Sequence, residues 1–125
     1  MHDLASLRVL VVEDEGPVAL LIEDMLLDLG CQVVGSAADV AKAAQLARTL
    51  QFDLALLDLN LNGQSAIPVA RIVRERGIPL LFISGYGGGA VLEDFAGYPT
   101  LAKPFTFVDL REKMLHALGR GHVDG

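Results

Sequence analysis

The strongest constraint on this chain is an alternation between short apolar runs and longer helical periods. Arg8 to Val12 ("RVLVV"), Gln32 to Ala37 ("QVVGSA"), Leu54 to Leu57 ("LALL"), Ile78 to Ile83 and Thr100 to Ala102 read as strands. Such β-branched and leucine-rich runs, apolar at nearly every position, suit strands buried on both faces. Between them lie helix patterns. Gly16 and Pro17 open the first, with proline in the first turn where its missing N–H costs little. Val18, Leu21, Ile22, Met25, Leu26 and Leu29 then form one apolar stripe, and Gly30 stops it. Asp39 caps the next helix, which runs to about Leu50 with Val40, Ala43, Ala47 and Leu50 inward.

After the turn "NLNGQ" a third helix covers about Ala66 to Arg76, and Gly77 ends it. A weak fourth is expected over about Ala90 to Ala96. The last spans Phe105 to Leu118, with Phe107, Leu110, Met114 and Leu118 on one face. Strands alternating with helices imply an α/β fold, a five-stranded parallel sheet with five helices on both faces. One domain over residues 1–125 is expected, with its core at about 8–118 and a disordered polar tail at 119–125.

Composition narrows the partners. A net charge of −6 argues against nucleic acid and against an anionic membrane surface, both of which attract clustered Lys and Arg. Cys31 is the single cysteine, which rules out an internal disulfide or a cysteine-built zinc site. There is no basic-then-apolar leader, and Val18 to Leu29 is too short and too acidic to span a bilayer, so a cytoplasmic protein is expected.

Ligands of an open parallel sheet collect at the carboxyl ends of its strands. Four strand ends here carry polar groups: Glu13, Asp14 and Glu15 after the first, Asp58 and Asn60 after the third, Ser84 after the fourth, and Lys103-Pro104 after the fifth. Any one of them alone reads as a turn former, a cap or a solvated charge. Together they have a definite chemistry. Clustered carboxylates repel unless a cation sits among them, and hard oxygen ligands suit Mg²⁺ (or Mn²⁺). A carboxylate beside that ion can attack phosphorus to form an acyl phosphate. The transferred group needs cationic and neutral donors around its oxygens, which Lys103 and Ser84 can supply.

With these residues in view, the chain resembles the receiver domain of bacterial two-component response regulators over residues 8–118. The resemblance implies the chemotaxis-regulator (flavodoxin-like) fold with strand order 2-1-3-4-5. "VVEDE" matches the acidic pair, with Asp14 a direct Mg²⁺ ligand and Glu13 direct or through water. "LLDLN" makes Asp58 the phosphoacceptor and the Asn60 main-chain carbonyl a further ligand. "FISG" assigns the phosphate-binding hydroxyl to Ser84, beside Gly85, and "AKPF" assigns the phosphate-pairing amine to Lys103, with a cis bond to Pro104.

Two departures stand out. The family's switch aromatic, three residues before the lysine, is Thr100 here. Phe82-Ile83-Ser84-Gly85-Tyr86 is similar to the loop of the FAT GUY subclass, often paired with HWE-type kinases, with Ile for Ala and Ser for Thr. The resemblance implies a stand-alone, non-enzymatic regulator. It would take phosphate from a histidine kinase or histidine phosphotransfer protein and signal to a target protein. Asn60 and Tyr86 flank the site and are expected to tune phosphate lifetime. The glycines after Ser84 free the backbone, and phosphoryl binding is expected to order residues 85–93. Leu20 and Leu27, off the main stripe of the first helix, are candidates for partner docking. Oligomeric state is left open.

Three other readings compete. A haloacid-dehalogenase-type phosphatase wants a second acid two residues after the nucleophile, where Asn60 stands. Gly85 to Ala90 spells a dinucleotide fingerprint, but after the fourth strand rather than the first. A phosphorylation-independent pseudo-receiver would have no need of the full acid, acceptor and lysine set.

Overall fold

The computed structural model describes residues 4–85 and 95–121. Its elements in chain order are β1 (Arg8–Val12), α1 (Gly16–Asp28), β2 (Gln32–Ala37), α2 (Val40–Thr49), β3 (Leu54–Asp58), β4 (Asn60–Leu61), β5 (Gln64–Ser65), α3 (Ile67–Glu75), β6 (Leu80–Ser84), β7 (Thr100–Ala102) and α4 (Phe107–Gly121). The main sheet runs β2-β1-β3-β6-β7 with every pairing parallel. This is the expected order once the small antiparallel hairpin β4–β5 is numbered in.

Strand alternation divides the core in two. Val9, Val11, Leu54, Leu56, Leu81 and Ile83 face one side, where Ile22 and Leu26 of α1 and Leu110 and Met114 of α4 cover them. Leu10, Val12, Ala55, Leu57, Leu80 and Phe82 face the other, against Ala43 and Ala47 of α2 and Val69, Ala70 and Val73 of α3. Burial on both faces is the reason these strands are apolar throughout. Each fully buried leucine or isoleucine contributes about 1.5–3 kcal/mol relative to exposure.

The helix ends follow the local chemistry. Gly30 (φ 85°) and Gly77 (φ 73°) adopt the left-handed conformation that closes α1 and α3. Behind them the Cys31 and Ile78 amides donate to the carbonyls of Leu26 and Val73, and the glycine amides donate to Leu27 and Arg74, a Schellman closure at each. Asp39 Oδ1 accepts from the Lys42 amide at 2.8 Å, the expected cap.

Several expectations shift. α4 starts at Phe107 rather than Phe105, because Thr106 and Asp109 exchange side-chain-to-amide hydrogen bonds of 3.0 and 2.9 Å in a capping box. It then continues to Gly121, past the expected end at Leu118 and into the first residues of the expected tail, whose remainder lies outside the described residues. Its buried stripe is Leu110, Met114, Ala117 and Leu118, whereas Phe107 is 37% exposed. Leu21, expected inward on α1, is 47% exposed. β6 begins at Leu80, two residues after the expected start, following Pro79, which has no amide to give the ladder.

Four α-helices are present among the described residues rather than five. The expected helix over 90–96 falls mostly outside them, leaving only a turn at Phe95 to Tyr98. No described helix is long and apolar enough to cross a membrane. Leu4, ahead of the expected core boundary, is buried, and its carbonyl accepts from the Cys31 thiol at 3.3 Å. Burial raises the Cys31 pKa, which keeps the thiol protonated and inert.

Candidate functional site

The parallel sheet delivers its strand ends to one rim, and the rim gathers the residues the sequence singled out. β1 ends immediately before Glu13 and Asp14, β3 ends on Asp58, β6 ends on Ser84, and β7 leads into Lys103. Glu13, Asp58 and Ser84 are buried, each directly after a run of four buried apolar residues. Carboxylate oxygens of Glu13, Asp14 and Asp58 lie within 4.8 Å of one another.

Lys103 is the cation that faces them. Its Nζ donates to Asp58 Oδ2 at 2.8 Å, to Glu13 Oε2 at 3.1 Å and to Glu15 Oε1 at 3.2 Å. The β6–β7 ladder fixes its origin, because the Lys103 amide donates to the Ser84 carbonyl at 2.8 Å. The Lys103–Pro104 bond is cis, as the resemblance implies. The second oxygen of Asp58, Oδ1, accepts from the Asn60 amide at 2.9 Å. Asp58 is thus held from both sides with its carboxylate facing the cleft.

Electrostatics set Glu13 apart. Burial, reinforced by the neighbouring Asp58 charge, pushes its pKa up to about 7 against the pull of the Glu15 amide and of Lys103. Its Oε1 lies within ion-pair distance of Lys103, yet has no hydrogen-bond partner among the described residues. For Lys103, burial works to lower the pKa, but the hydrogen bonds and charges of Asp58 and Glu13 outweigh it and raise the value. One ammonium shared among several carboxylates leaves the cluster short of positive charge. An all-oxygen donor set with an orphaned buried oxygen fits a hard divalent cation, and Glu13, Asp14 and Asp58 are the side chains that would hold it.

A cleft of about 660 Å³ opens over this cluster, lined among others by Asp14, Asp58, Asn60, Ser84, Gly85 and Lys103. A second groove of about 390 Å³ adjoins it, between Val18 and Leu21 of α1 and Pro104 and Phe105. Leu20 and Leu27 are 65% and 63% exposed on α1.

Tyr86 and the segment expected to order on phosphoryl binding lie outside the described residues, except for Gly85. Thr100 is half-buried at the start of β7, opposite Phe82 in the ladder. Next to it is an aromatic cluster that the sequence pattern did not reveal. Phe82, Phe95 and Tyr98 meet edge to face at centroid separations of 5.3 to 6.2 Å, and the Arg74 guanidinium lies 4.4 Å over the Phe95 ring. The spacing of Phe95 and Tyr98 after Phe82 was the available signal, but thirteen positions separate Phe82 from Phe95 and the three aromatics share no periodicity.

The sequence turn "NLNGQ" proves to be the hairpin β4–β5. Its tip, Asn62 (φ 54°) and Gly63 (φ 86°), is left-handed at both positions, which Asn-Gly accommodates. The Asn62 amide donates to Asp14 Oδ2 at 2.9 Å, and the Gly63 amide donates to Asn60 Oδ1 at 2.7 Å.

This fold and rim define a class, and comparison with known proteins agrees. The response regulator receiver domain family matches residues 9–115, and the chain belongs to it. The transcriptional regulatory protein PdtaR of Mycobacterium tuberculosis is 30% identical over 107 residues, covering 82% of this chain and 52% of PdtaR. The chain therefore spans about half the length of that curated relative. The solution structure of SdrG from Sphingomonas melonis is 36% identical, with a TM-score of 0.81 over 94% of this chain and 98% of SdrG. The receiver domain of the sensor histidine kinase PA1611 from Pseudomonas aeruginosa is 28% identical, with a TM-score of 0.75 over 92% of this chain and 99% of that domain. Its crystal structure has a magnesium ion coordinated in the active-site cleft.

Proposed function

We propose that this chain is a phosphoryl-accepting switch of a cytoplasmic two-component phosphorelay. In this reading Asp58 is the phosphoacceptor, and Glu13, Asp14, Asp58 and the Asn60 main-chain carbonyl hold Mg²⁺ (or Mn²⁺). The observation that carries it is the buried Asp58 carboxylate, 2.8 Å from Lys103 and within 4.8 Å of two further acids, at the floor of an open cleft.

The chemistry follows from the arrangement. An Asp58 oxygen forms a bond to phosphorus as the bond from phosphorus to the donor's histidine nitrogen breaks, and the departing imidazole keeps the electron pair and takes a proton. The bound cation would neutralise charge on the phosphoryl oxygens and reduce repulsion with the acids. Lys103 moves from the Asp58 carboxylate to a phosphoryl oxygen, exchanging one anion for another at little cost. The Ser84 hydroxyl and the Gly85 amide donate to the remaining oxygens. The Asn60 side chain stands at the cleft wall and, with Tyr86, governs how water reaches the acyl phosphate.

The chain works through protein contacts, since its net charge of −6 suits neither nucleic acid nor an anionic membrane. A histidine kinase or histidine phosphotransfer protein is the donor, and a target protein reads the outcome. Leu20 and Leu27, with the groove beside Leu21, present the apolar surface for docking. Replacing both with serine should slow phosphotransfer from a cognate donor while leaving reaction with acetyl phosphate intact; equal transfer rates would remove them from this role.

Intact-mass analysis after acetyl phosphate treatment tests the reading. A single phosphoryl adduct is expected in the wild type with Mg²⁺, and none with EDTA or in Asp58→Asn. An adduct that persists in Asp58→Asn refutes it.

A further inference from the structure

The hairpin β4–β5 (residues 60–65) places a single side chain, Leu61, in the core, and Asn60, Gln64 and Ser65 are exposed. Its two tip amides nevertheless both point at side chains of the acidic rim. Asn62 N–H holds Asp14 Oδ2 at 2.9 Å, a contact between residues 48 positions apart, and Gly63 N–H holds the Asn60 side chain at 2.7 Å. The Asn60 amide in turn holds Asp58 Oδ1 at 2.9 Å. The hairpin therefore links the acid after β1 to the acid ending β3. Both amides reach the rim only because Asn62 and Gly63 are left-handed, at φ 54° and 86°.

We propose that the Asn62–Gly63 turn is a positioning element of the cation site. The inference rests on the metal-binding reading above and adds residues to it. An N–H to carboxylate bond fixes one oxygen of Asp14 and leaves the other to meet the cation. The same hairpin carries Asn60 and so sets where its main-chain carbonyl lies. A turn out of shape would release Asp14 into solvent and shift the Asn60 carbonyl together. By linkage, the bound cation must also hold the turn more firmly.

Gly63 allows a clean test, because a Cβ there would meet nothing within 4 Å, so a substitution acts only through the positive φ. Gly77, also at positive φ with open space around it, closes α3 away from the rim and serves as a control. Mn²⁺ binding is measured on the full chain by paramagnetic resonance or calorimetry, without any phosphoryl donor. Gly63→Val should weaken Mn²⁺ by about tenfold, the scale found when a carboxylate ligand loses its hydrogen-bonded support. Gly77→Val should lower thermal stability and leave Mn²⁺ affinity as in the wild type. In the wild type, Mg²⁺ should slow hydrogen exchange of the Asn62 amide. Should Gly63→Val fail to fold, Gly63→Ala is expected to weaken Mn²⁺ in the same direction by a smaller factor.

A folded Gly63 variant with wild-type Mn²⁺ affinity overturns the proposal, as does equal weakening in Gly77→Val. Both outcomes leave the metal site itself standing. A wild type that takes up no Mn²⁺ overturns the metal-site reading along with it.

Discussion

The two ends of the β-sheet carry charge in opposite ways. At the amino ends, Arg8 and Asp53 form a closed pair. The guanidinium donates to both carboxylate oxygens, at 2.9 and 3.1 Å, and the Arg8 amide adds a third bond at 2.9 Å. One cation meets one anion, half-exposed, and every contact is returned. At the carboxyl ends, among the described residues, Lys103 is the one cation set against Asp58, Glu13 and Glu15, and Glu13 Oε1, although within ion-pair distance of it, makes no hydrogen bond. The first arrangement is complete as a structural tie. The second sets three carboxylates against one ammonium, and clustered, partly buried titratable groups of this kind mark a candidate functional site rather than a structural tie.

The largest effect expected from this contrast is at Lys103. Lys103→Ala leaves Glu13 and Asp58 buried without their cation, and breaking such a pair costs about 3–5 kcal/mol. A urea unfolding midpoint in EDTA should fall accordingly, and Mg²⁺ should restore more stability to the variant than it adds to the wild type. Arg8→Ala, which breaks the exposed pair, should shift the midpoint far less and in a salt-dependent way. Equal losses at the two ends would erase the distinction.

The next effect is a pH dependence carried by Glu13. Its folded pKa, about 7, lies above its unfolded value because burial disfavours the charged form. A group with a raised folded pKa contributes stability that is complete below the unfolded pKa and lost as pH rises through the folded one. Metal-free wild type should therefore lose stability between about pH 5 and 8, by roughly 1–3 kcal/mol. Glu13→Gln should flatten that slope, be the more stable chain at pH 8, and bind Mg²⁺ more weakly. A slope that survives in Glu13→Gln would place the titration elsewhere.

The amino end supplies the smallest and opposite effect. Asp53 has a lowered pKa, first through its side-chain bond from Arg8. The stability it contributes is present above its unfolded pKa and is lost as pH falls through the folded one. Asp53→Asn should soften the acid limb of the stability curve and leave the neutral limb untouched.

Most of the sheet and most of the rim were legible in the sequence, for a physical reason. Strands buried on both faces must be apolar throughout, so an acid, hydroxyl or lysine marks where a strand leaves the core. Asp58, Ser84 and Lys103 all stand out this way, and Gly30 and Gly77 announce helix ends through a conformation that glycine adopts freely. What was not legible depends on partners distant in sequence. The Phe82–Phe95–Tyr98 cluster joins β6 to residues well beyond it in sequence, and the Asn62 amide finds Asp14 from 48 residues away. No local pattern encodes either contact. Leu21 and Phe107 misled because helical spacing gives a stripe but not its width, and the outer edge of a stripe can line a groove as readily as a core.

The central claim, that the open end of the sheet exists to carry a phosphoryl group on Asp58, has a direct measurement. The wild type is treated with acetyl phosphate and Mg²⁺, reduced with borohydride, which converts an acyl phosphate to an alcohol, and mapped by peptide mass spectrometry. The account predicts homoserine at position 58 and no modification at Asp14 or Asp53. Reduction at another acid, or no reduced residue under conditions that phosphorylate a known receiver domain, would contradict it.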